Sequence, residues 1–207
     1  MEIYTYPLGD LQANCYILVN EKTRDAVAID IGANPQFLVL EELKRNFKIK
    51  TVLLTHCHFD HVGGVAYFYK RGAKCVIGEN EVENLKNPNI NLSIMFGDEV
   101  ENFEVFTVKD GQVFNECGIE FKVIETKGHT SGGVCYKVEN NLFTGDLLFN
   151  GSFGRYDFPT GNIKELITSI KKVFEFENLI VYSGHGEKTD IETERKYNPI
   201  RSYFDIY

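Results

Sequence analysis

The sequence predicts an α/β fold in which two sheets pack together with helices outside. Two observations carry this reading: strand-like and helix-like blocks alternate along the chain, and each half contains both kinds. A third is that no linker or low-complexity segment interrupts the 207 residues. Residues 1–207 are therefore expected to form a single domain, close to the roughly 100–200 residues a domain takes.

In chain order, residues 15–19 and 26–31 are rich in β-branched and apolar side chains and read as strands, with the polar run 20–25 as the hairpin loop between them. Pro35 suits the first turn of a helix, and Phe37, Leu40, Leu43 and Phe47 recur at helical spacing. Residues 51–55 form a short apolar strand, 62–71 a helix and 74–77 the next strand. Residues 80–86 read as helical and 87–91 as a turn. Strands are then expected at 104–107, 112–115, 119–125, 134–138 and 141–144. Ile163, Leu166, Ile167, Ile170, Val173 and Phe174 share one helical stripe. Residues 179–182 make a last strand, and a helix at 191–197 stops before Pro199. Tyr203, Phe204 and Tyr207 leave an apolar tail for the core or a second chain.

Composition narrows the function. A hydrophobic fraction of 43%, with 16 Phe and 11 Tyr, excludes a disordered chain. The net charge of −8 argues against a nucleic-acid partner, since non-specific affinity for phosphates rests on Lys and Arg. No apolar run approaches the ~20 residues of a membrane helix, and residues 1–10 lack a signal-peptide pattern. Five cysteines, at 15, 57, 75, 117 and 135, are odd in number and show no C-x-x-C spacing. Reduced thiols in a cytoplasmic protein are expected.

The five histidines say more. His56, His58, His61, His129 and His185 all follow expected strands and lie in turn-bearing segments, and Thr144-Gly145-Asp146 is a similar segment with a carboxylate. Loops at strand ends are a common place for chemistry, because the sheet fixes their position. His56 and His58 are two apart, so an extended backbone points both to one side, where they can grip one ion. Asp60 and His61 follow at a turn and can face a neighbouring ion. Imidazole and carboxylate suit Zn²⁺, with Fe or Mn as alternatives. Cys57 alternates away and is not needed for coordination.

With its H-x-H-x-D-H run at 56–61, the sequence resembles the metallo-β-lactamase superfamily. The likeness continues through Asp30-Ile31-Gly32, Gly128-His129-Thr130, Thr144-Gly145-Asp146 and Gly184-His185-Gly186. It implies an αβ/βα four-layer sandwich, two mixed sheets face to face with helices outside, and a centre of two divalent metal ions at one edge. By this resemblance His56, His58 and His129 hold the first ion, Asp60, His61 and His185 the second, and Asp146 bridges both. Asp30, Thr55 and Thr130 would orient the ligands. Residues 151–161 (GSFGRYDFPTG) look like the glyoxalase II-like, or hydroxyacylglutathione hydrolase-like, branch, especially its short bacterial members. Glu194 with Asn198-Pro199 also looks like that group. Lys127 stands where the family has proline, and the chain ends soon after His185. The C-terminal helical region with which full-length glyoxalase II enzymes hold glutathione is thus expected to be missing.

The expected activity is hydrolysis of a thioester such as an S-2-hydroxyacylglutathione, a small molecule. Two ions sharing a water lower its pKa toward neutrality, and the bridging hydroxide attacks the carbonyl carbon. Asp60 and Asp146 are the catalytic candidates, because they can orient that hydroxide. Arg155 could recognise a substrate carboxylate, or pair with Asp157 to shape its loop; Tyr156 and Phe158 could line the cleft or pack. The nearest alternative is a persulfide dioxygenase with one iron on His56, His129 and Asp146. A non-catalytic metal protein is the more distant one.

Overall fold

The computed structural model describes residues 1–97 and 99–206. The first half runs β1 (Glu2–Leu8), β2 (Ala13–Val19), β3 (Asp25–Ile29), α1 (Pro35–Arg45), β4 (Lys48–Leu54), α2 (Phe59–Val62), α3 (Val65–Lys70) and β5 (Lys74–Gly78). It continues through the short helices α4 (Val82–Leu85) and α5 (Ser93–Phe96) to β6 (Phe106–Val108). The second half runs β7 (Val113–Glu116), β8 (Ile119–Glu125), β9 (Val134–Val138), β10 (Asn141–Gly145), β11 (Leu148–Phe149), β12 (Ser152–Phe153), α6 (Ile163–Val173), β13 (Ile180–Ser183), β14 (Thr189–Asp190) and α7 (Ile191–Tyr197).

Two six-stranded mixed sheets result. The first has the order β1-β2-β3-β4-β5-β6, antiparallel up to β3 and parallel from β3 onward. The second has the order β14-β13-β10-β9-β8-β7, with β10 and β13 its parallel pair. Sequence pattern explains each placement. β2 is buried along its whole length and, apart from Asn14, reads as an apolar run, as suits a strand covered on both faces. β8 alternates instead: Phe121 and Val123 point inward while Glu120 and Lys122 face solvent.

The inner faces meet in one core of Tyr16, Leu18, Val27, Ile29, Leu53 and Val76 against Phe121, Val123, Val134, Tyr136 and Phe143. α1 and α3 cover the outer face of the first sheet, and α6 that of the second. The helix stripe of α6 is buried as expected, except that Ile163 is only partly covered. Two mixed sheets packed face to face with helices outside are what the sequence predicts. Tyr203 and Phe204 pack on the core beside α6, against Phe153 and Phe174; Tyr207 lies outside the described residues. Among the described residues, no helix is long and apolar enough to cross a membrane.

Three differences from expectation have physical causes. The expected helix at 62–71 is two short helices, because Gly63 and Gly64 press the chain against the backbone of Ile31-Gly32. A Cβ on Gly63 would sit 2.6 Å from the Gly32 carbonyl oxygen. In α1, Phe37, Leu40 and Leu43 face solvent, and Leu38, Glu41 and Glu42 are the buried residues. Glu41 accepts from Tyr6 Oη at 2.8 Å and Arg45 Nε at 2.7 Å, and Glu42 accepts from the Ile49 N–H at 2.8 Å. Partnered carboxylates thus fill the inner face that an apolar pattern would assign to Leu. β1 went unread although Ile3, Tyr4, Thr5 and Tyr6 are good strand formers. It is an edge strand, where Pro7 is tolerated.

Candidate metal centre

The parallel pairs β3–β4 and β10–β13 both end at one rim of the sandwich. β4 runs out through Thr55 to His56; His58 is still extended (φ −62°, ψ 144°) and starts α2, whose single turn carries Asp60 and His61. The β8–β9 loop brings His129, the end of β10 brings Asp146, and the end of β13 brings His185. Hydrogen bonds lock the two sheets together beside them. Val134 N–H donates to the Thr55 carbonyl at 2.8 Å, Tyr136 Oη to the Leu54 carbonyl at 2.9 Å, and Asn14 Nδ2 to the Ser183 carbonyl at 3.0 Å.

Ring orientation follows from what each Nδ1–H meets. His56 Nδ1 lies 3.0 Å from Thr55 Oγ1, which itself donates to Asp30 Oδ2 at 2.7 Å. His61 Nδ1 donates to the same Asp30 Oδ2 at 2.9 Å, His129 Nδ1 to the Arg155 carbonyl at 2.7 Å, and His185 Nδ1 to the Leu11 carbonyl at 3.1 Å. Each of these four rings therefore turns its Nε2 toward the centre. His58 presents Nδ1 instead, 3.1 Å from His56 Nε2 and 2.9 Å from His129 Nε2. Tetrahedral ligands about 2.0 Å from zinc stand about 3.3 Å apart, so this trio has the spacing of a coordination face.

The donor atoms fall into two groups, each within 4.8 Å: His56, His58 and His129, and Asp60, His61 and His185. The fold brings together the same residues that the resemblance groups. Asp146 stands between them, with Oδ1 3.3 Å from His61 Nε2 and Oδ2 3.6 Å from both His129 Nε2 and His185 Nε2. A third group, Asp30, His56 and His61, is also within 4.8 Å. Its Asp30 already accepts from the Thr55 N–H, the Thr55 hydroxyl and His61, which makes it a support behind the rings.

Electrostatics differ between the groups. Burial, then the neighbouring imidazoles, holds His56 well below the ordinary histidine range, and burial with His129 pushes His58 down to about 3. Both effects favour the neutral, lone-pair form that ligation requires. For His61 burial acts downward, but Asp146 and Asp60 outweigh it and hold the ring well above its usual value. His185 is pushed up to about 9 in the same way: burial lowers it, and hydrogen bonds to Asp146 and Asp60 prevail. Burial would raise Asp146, yet His61 and His185 hold it well below the carboxylate range. The carboxylates thus give the second group a negative potential, and the first offers neutral nitrogen. Nitrogen and carboxylate donors with their far sides hydrogen-bonded fit a pair of divalent cations.

The family model of the metallo-beta-lactamase superfamily matches residues 8–185. The chain belongs to that superfamily. A hydroxyacylglutathione hydrolase, GloC, of Haemophilus influenzae is 32% identical over 96% of this chain and 97% of its own length. The crystal structure of the BLEG-1 B3 metallo-beta-lactamase superposes with a TM-score of 0.89 at 32% identity, covering 96% of this chain and 98% of that one. That of TTHA1623, in a di-iron-bound form, gives 0.85 at 29% identity, covering 95% and 98%.

Further side chains near the cluster follow the β11–β12 hairpin. Arg155 forms a two-bonded pair with Asp157 (2.9 and 2.8 Å), and its guanidinium lies 4.1 Å over the Phe158 ring. Of the two expectations for Arg155, the structure bears the loop-shaping pair. Phe158 stands beside His58 and His129, with ring centroids 5.7 and 6.4 Å away, and so lines the centre; Tyr156 packs on the core next to α6. Sequence reading missed the Leu11 and Arg155 carbonyls that orient His185 and His129. Backbone acceptors carry no side-chain signature, and only the fold reveals them. Thr130, expected to orient a ligand, is fully buried, and its Oγ1 has no hydrogen-bond partner.

Proposed function

We propose that this chain is a dinuclear metal-dependent hydrolase of small acyl thioesters. In this reading His56, His58 and His129 hold one divalent ion, Asp60, His61 and His185 hold the other, and Asp146 is shared. Zinc suits the donor set, and the di-iron form of the neighbouring structure supports iron as the second candidate. When bound, the ions supply a hydroxide nucleophile near neutral pH and a Lewis acid for the carbonyl oxygen.

The chain's own groups do the rest. Asp60 and Asp146 accept a hydrogen bond from the attacking water and aim its remaining lone pair at the carbonyl carbon. Phe158 supplies an apolar wall beside His58, which excludes bulk water from that side. The observation that carries the thioester reading is that all five histidines of the chain are used in the cluster. None is spare to protonate a leaving group. A thiolate, with an ordinary pKa of about 8.5, departs unprotonated, whereas an amide nitrogen needs a proton. The GloC relative, matched over nearly its whole length, supports an S-2-hydroxyacylglutathione as the first substrate to test.

Elemental analysis of the native protein, followed by thiol release from S-2-hydroxyacylglutathione, tests this. Two ions per chain and turnover that a chelator abolishes are expected. One iron per chain with persulfide-dependent oxygen uptake would instead assign a mononuclear iron dioxygenase. Bound metal without hydrolysis of S-acylglutathione, S-acyl-coenzyme A or lactone would leave a non-catalytic metal protein.

A further inference from the structure

Glu194 is a carboxylate outside the histidine and aspartate groups, and it is only 1% exposed. It sits in α7, behind the β11–β12 hairpin. Its oxygens accept from the Gly151 N–H at 3.1 and 3.2 Å, from Thr189 Oγ1 at 2.7 Å and from Asn198 Nδ2 at 2.6 Å. Asn198, equally buried, uses the same amide nitrogen to donate to the Ser152 carbonyl at 2.8 Å. Glu194 and Asn198 thereby grip the hairpin at its turn residue Gly151 and at Ser152, the first residue of β12, while Thr189 ties in the chain just beyond His185. A buried carboxylate with three donors is costly to disrupt, since removing it strands all three.

The hairpin spans the interval between two functional groups. Asp146 enters it, and Arg155, whose carbonyl orients His129, leaves it. Along the way Thr144 Oγ1 donates to the Leu148 carbonyl at 3.0 Å, and the Gly154 N–H donates to the Leu147 carbonyl at 3.2 Å. Gly154 also lies against Asp146: a Cβ there would stand 1.7 Å from the Asp146 carbonyl oxygen and 3.2 Å from His129 Nδ1. A shift of the hairpin therefore moves the Arg155 carbonyl away from His129.

We propose that Glu194 is a positioning residue, which holds the β11–β12 hairpin so that the Arg155 carbonyl fixes the His129 ring with Nε2 facing the metal cluster. The metal part of this inference rests on reading His129 and Asp146 as ligands; the positioning part does not.

The test uses the full chain, stripped of metal, as wild type, Glu194→Ala, Glu194→Gln and Glu42→Ala. Glu42 is a control: it is another buried, multiply bonded carboxylate, but it caps the opposite end of β4 through the Ile49 N–H. The first readout is the His129 Nδ1–H signal in the proton–nitrogen NMR spectrum, assigned by its loss in His129→Gln. The second is zinc affinity by chelator competition. In Glu194→Ala the signal is expected to lose its protection from exchange, and zinc affinity to fall ~10–100-fold, as for loss of a ligand's outer partner. Glu194→Gln keeps one acceptor for Gly151 and Thr189 but loses the one for Asn198, so a weakened signal and a measurable affinity loss below ~10-fold are expected. Glu42→Ala should lower the melting temperature with the His129 signal retained. An unchanged signal in folded Glu194→Ala, or equal loss in Glu42→Ala, overturns the proposal. Should Glu194→Ala not fold, a Glu194→Gln protein with wild-type signal and affinity overturns it as well. A lost signal with unchanged zinc affinity would leave the positioning role standing and remove His129 from the metal ligands.

Discussion

The two sheets supply the candidate metal centre in opposite ways. From the first come four donors within one six-residue run, His56 to His61, at the end of a single strand. From the second come three single residues, His129, Asp146 and His185, each at the end of a different strand. In the first half the spacing is set by the local backbone: an extended segment, then one helical turn, with Asp30 behind. In the second it is assembled from tertiary contacts, the Arg155 and Leu11 carbonyls and the grip of α7 on the hairpin. A locally encoded site resists distant change, and an assembled one inherits every weakness of its supports.

The most direct way to break the contrast is to remove one ligand from each side. On the proposed ligand reading, Asp146→Ala removes the carboxylate between both groups, so both ions should be lost. His58→Ala should empty only the first group. Turnover in both should fall by more than the ~100-fold typical of losing an outer partner, with circular dichroism retained. Equal metal loss in the two variants would mean that Asp146 is not the shared member.

Gly154→Ala attacks the assembled half without replacing a ligand. The new Cβ would meet the Asp146 carbonyl oxygen at 1.7 Å, closer than any real contact, so the backbone must move. A stability loss of about 3 kcal/mol or more is expected from such overpacking, measured by denaturant unfolding, together with weaker metal binding. A smaller loss would show the hairpin to be more yielding than its hydrogen bonds suggest.

The counterpart in the first half is Asp30→Asn, which keeps size and shape. Asp30 accepts three hydrogen bonds, from the Thr55 N–H, the Thr55 hydroxyl and His61, and an amide cannot accept at both positions. Metal affinity should fall ~10–100-fold in a chelator competition. If the spacing in this half is local, melting temperature should change less than in Gly154→Ala.

The same contrast decides what the sequence disclosed. The H-x-H-x-D-H run was legible because local spacing alone brings its donors together, and the sheets were legible where burial on one or two faces writes a pattern, as in β2 and β8. The three single residues could be placed only by resemblance to a family. What escaped had no side-chain pattern to mark it: carbonyl acceptors, the outward direction of the apolar stripe on α1, and a two-stranded hairpin too short to show alternation. Glu194 was noted as part of a resemblance, but its reach to Gly151 is a property of the folded chain.

The mildest prediction concerns the far end of the first half. Arg45, and then Tyr6 and Lys44, hold Glu41 down to about 2 against the upward pull of its own burial. A carboxyl depressed in the folded state contributes stability above its unfolded pKa of about 4.3, and that contribution disappears as pH falls toward 2. Lys44 is largely exposed and Arg45 partly so, and solvent screening limits the gain to less than about 1 kcal/mol. Glu41→Gln should therefore lower stability slightly at pH 7 and converge with wild type between pH 4 and 2, as urea midpoints would show. Metal content at pH 7 should not change. If it did, α1 would be coupled to the cluster, and the first half would depend on remote contacts as much as the second.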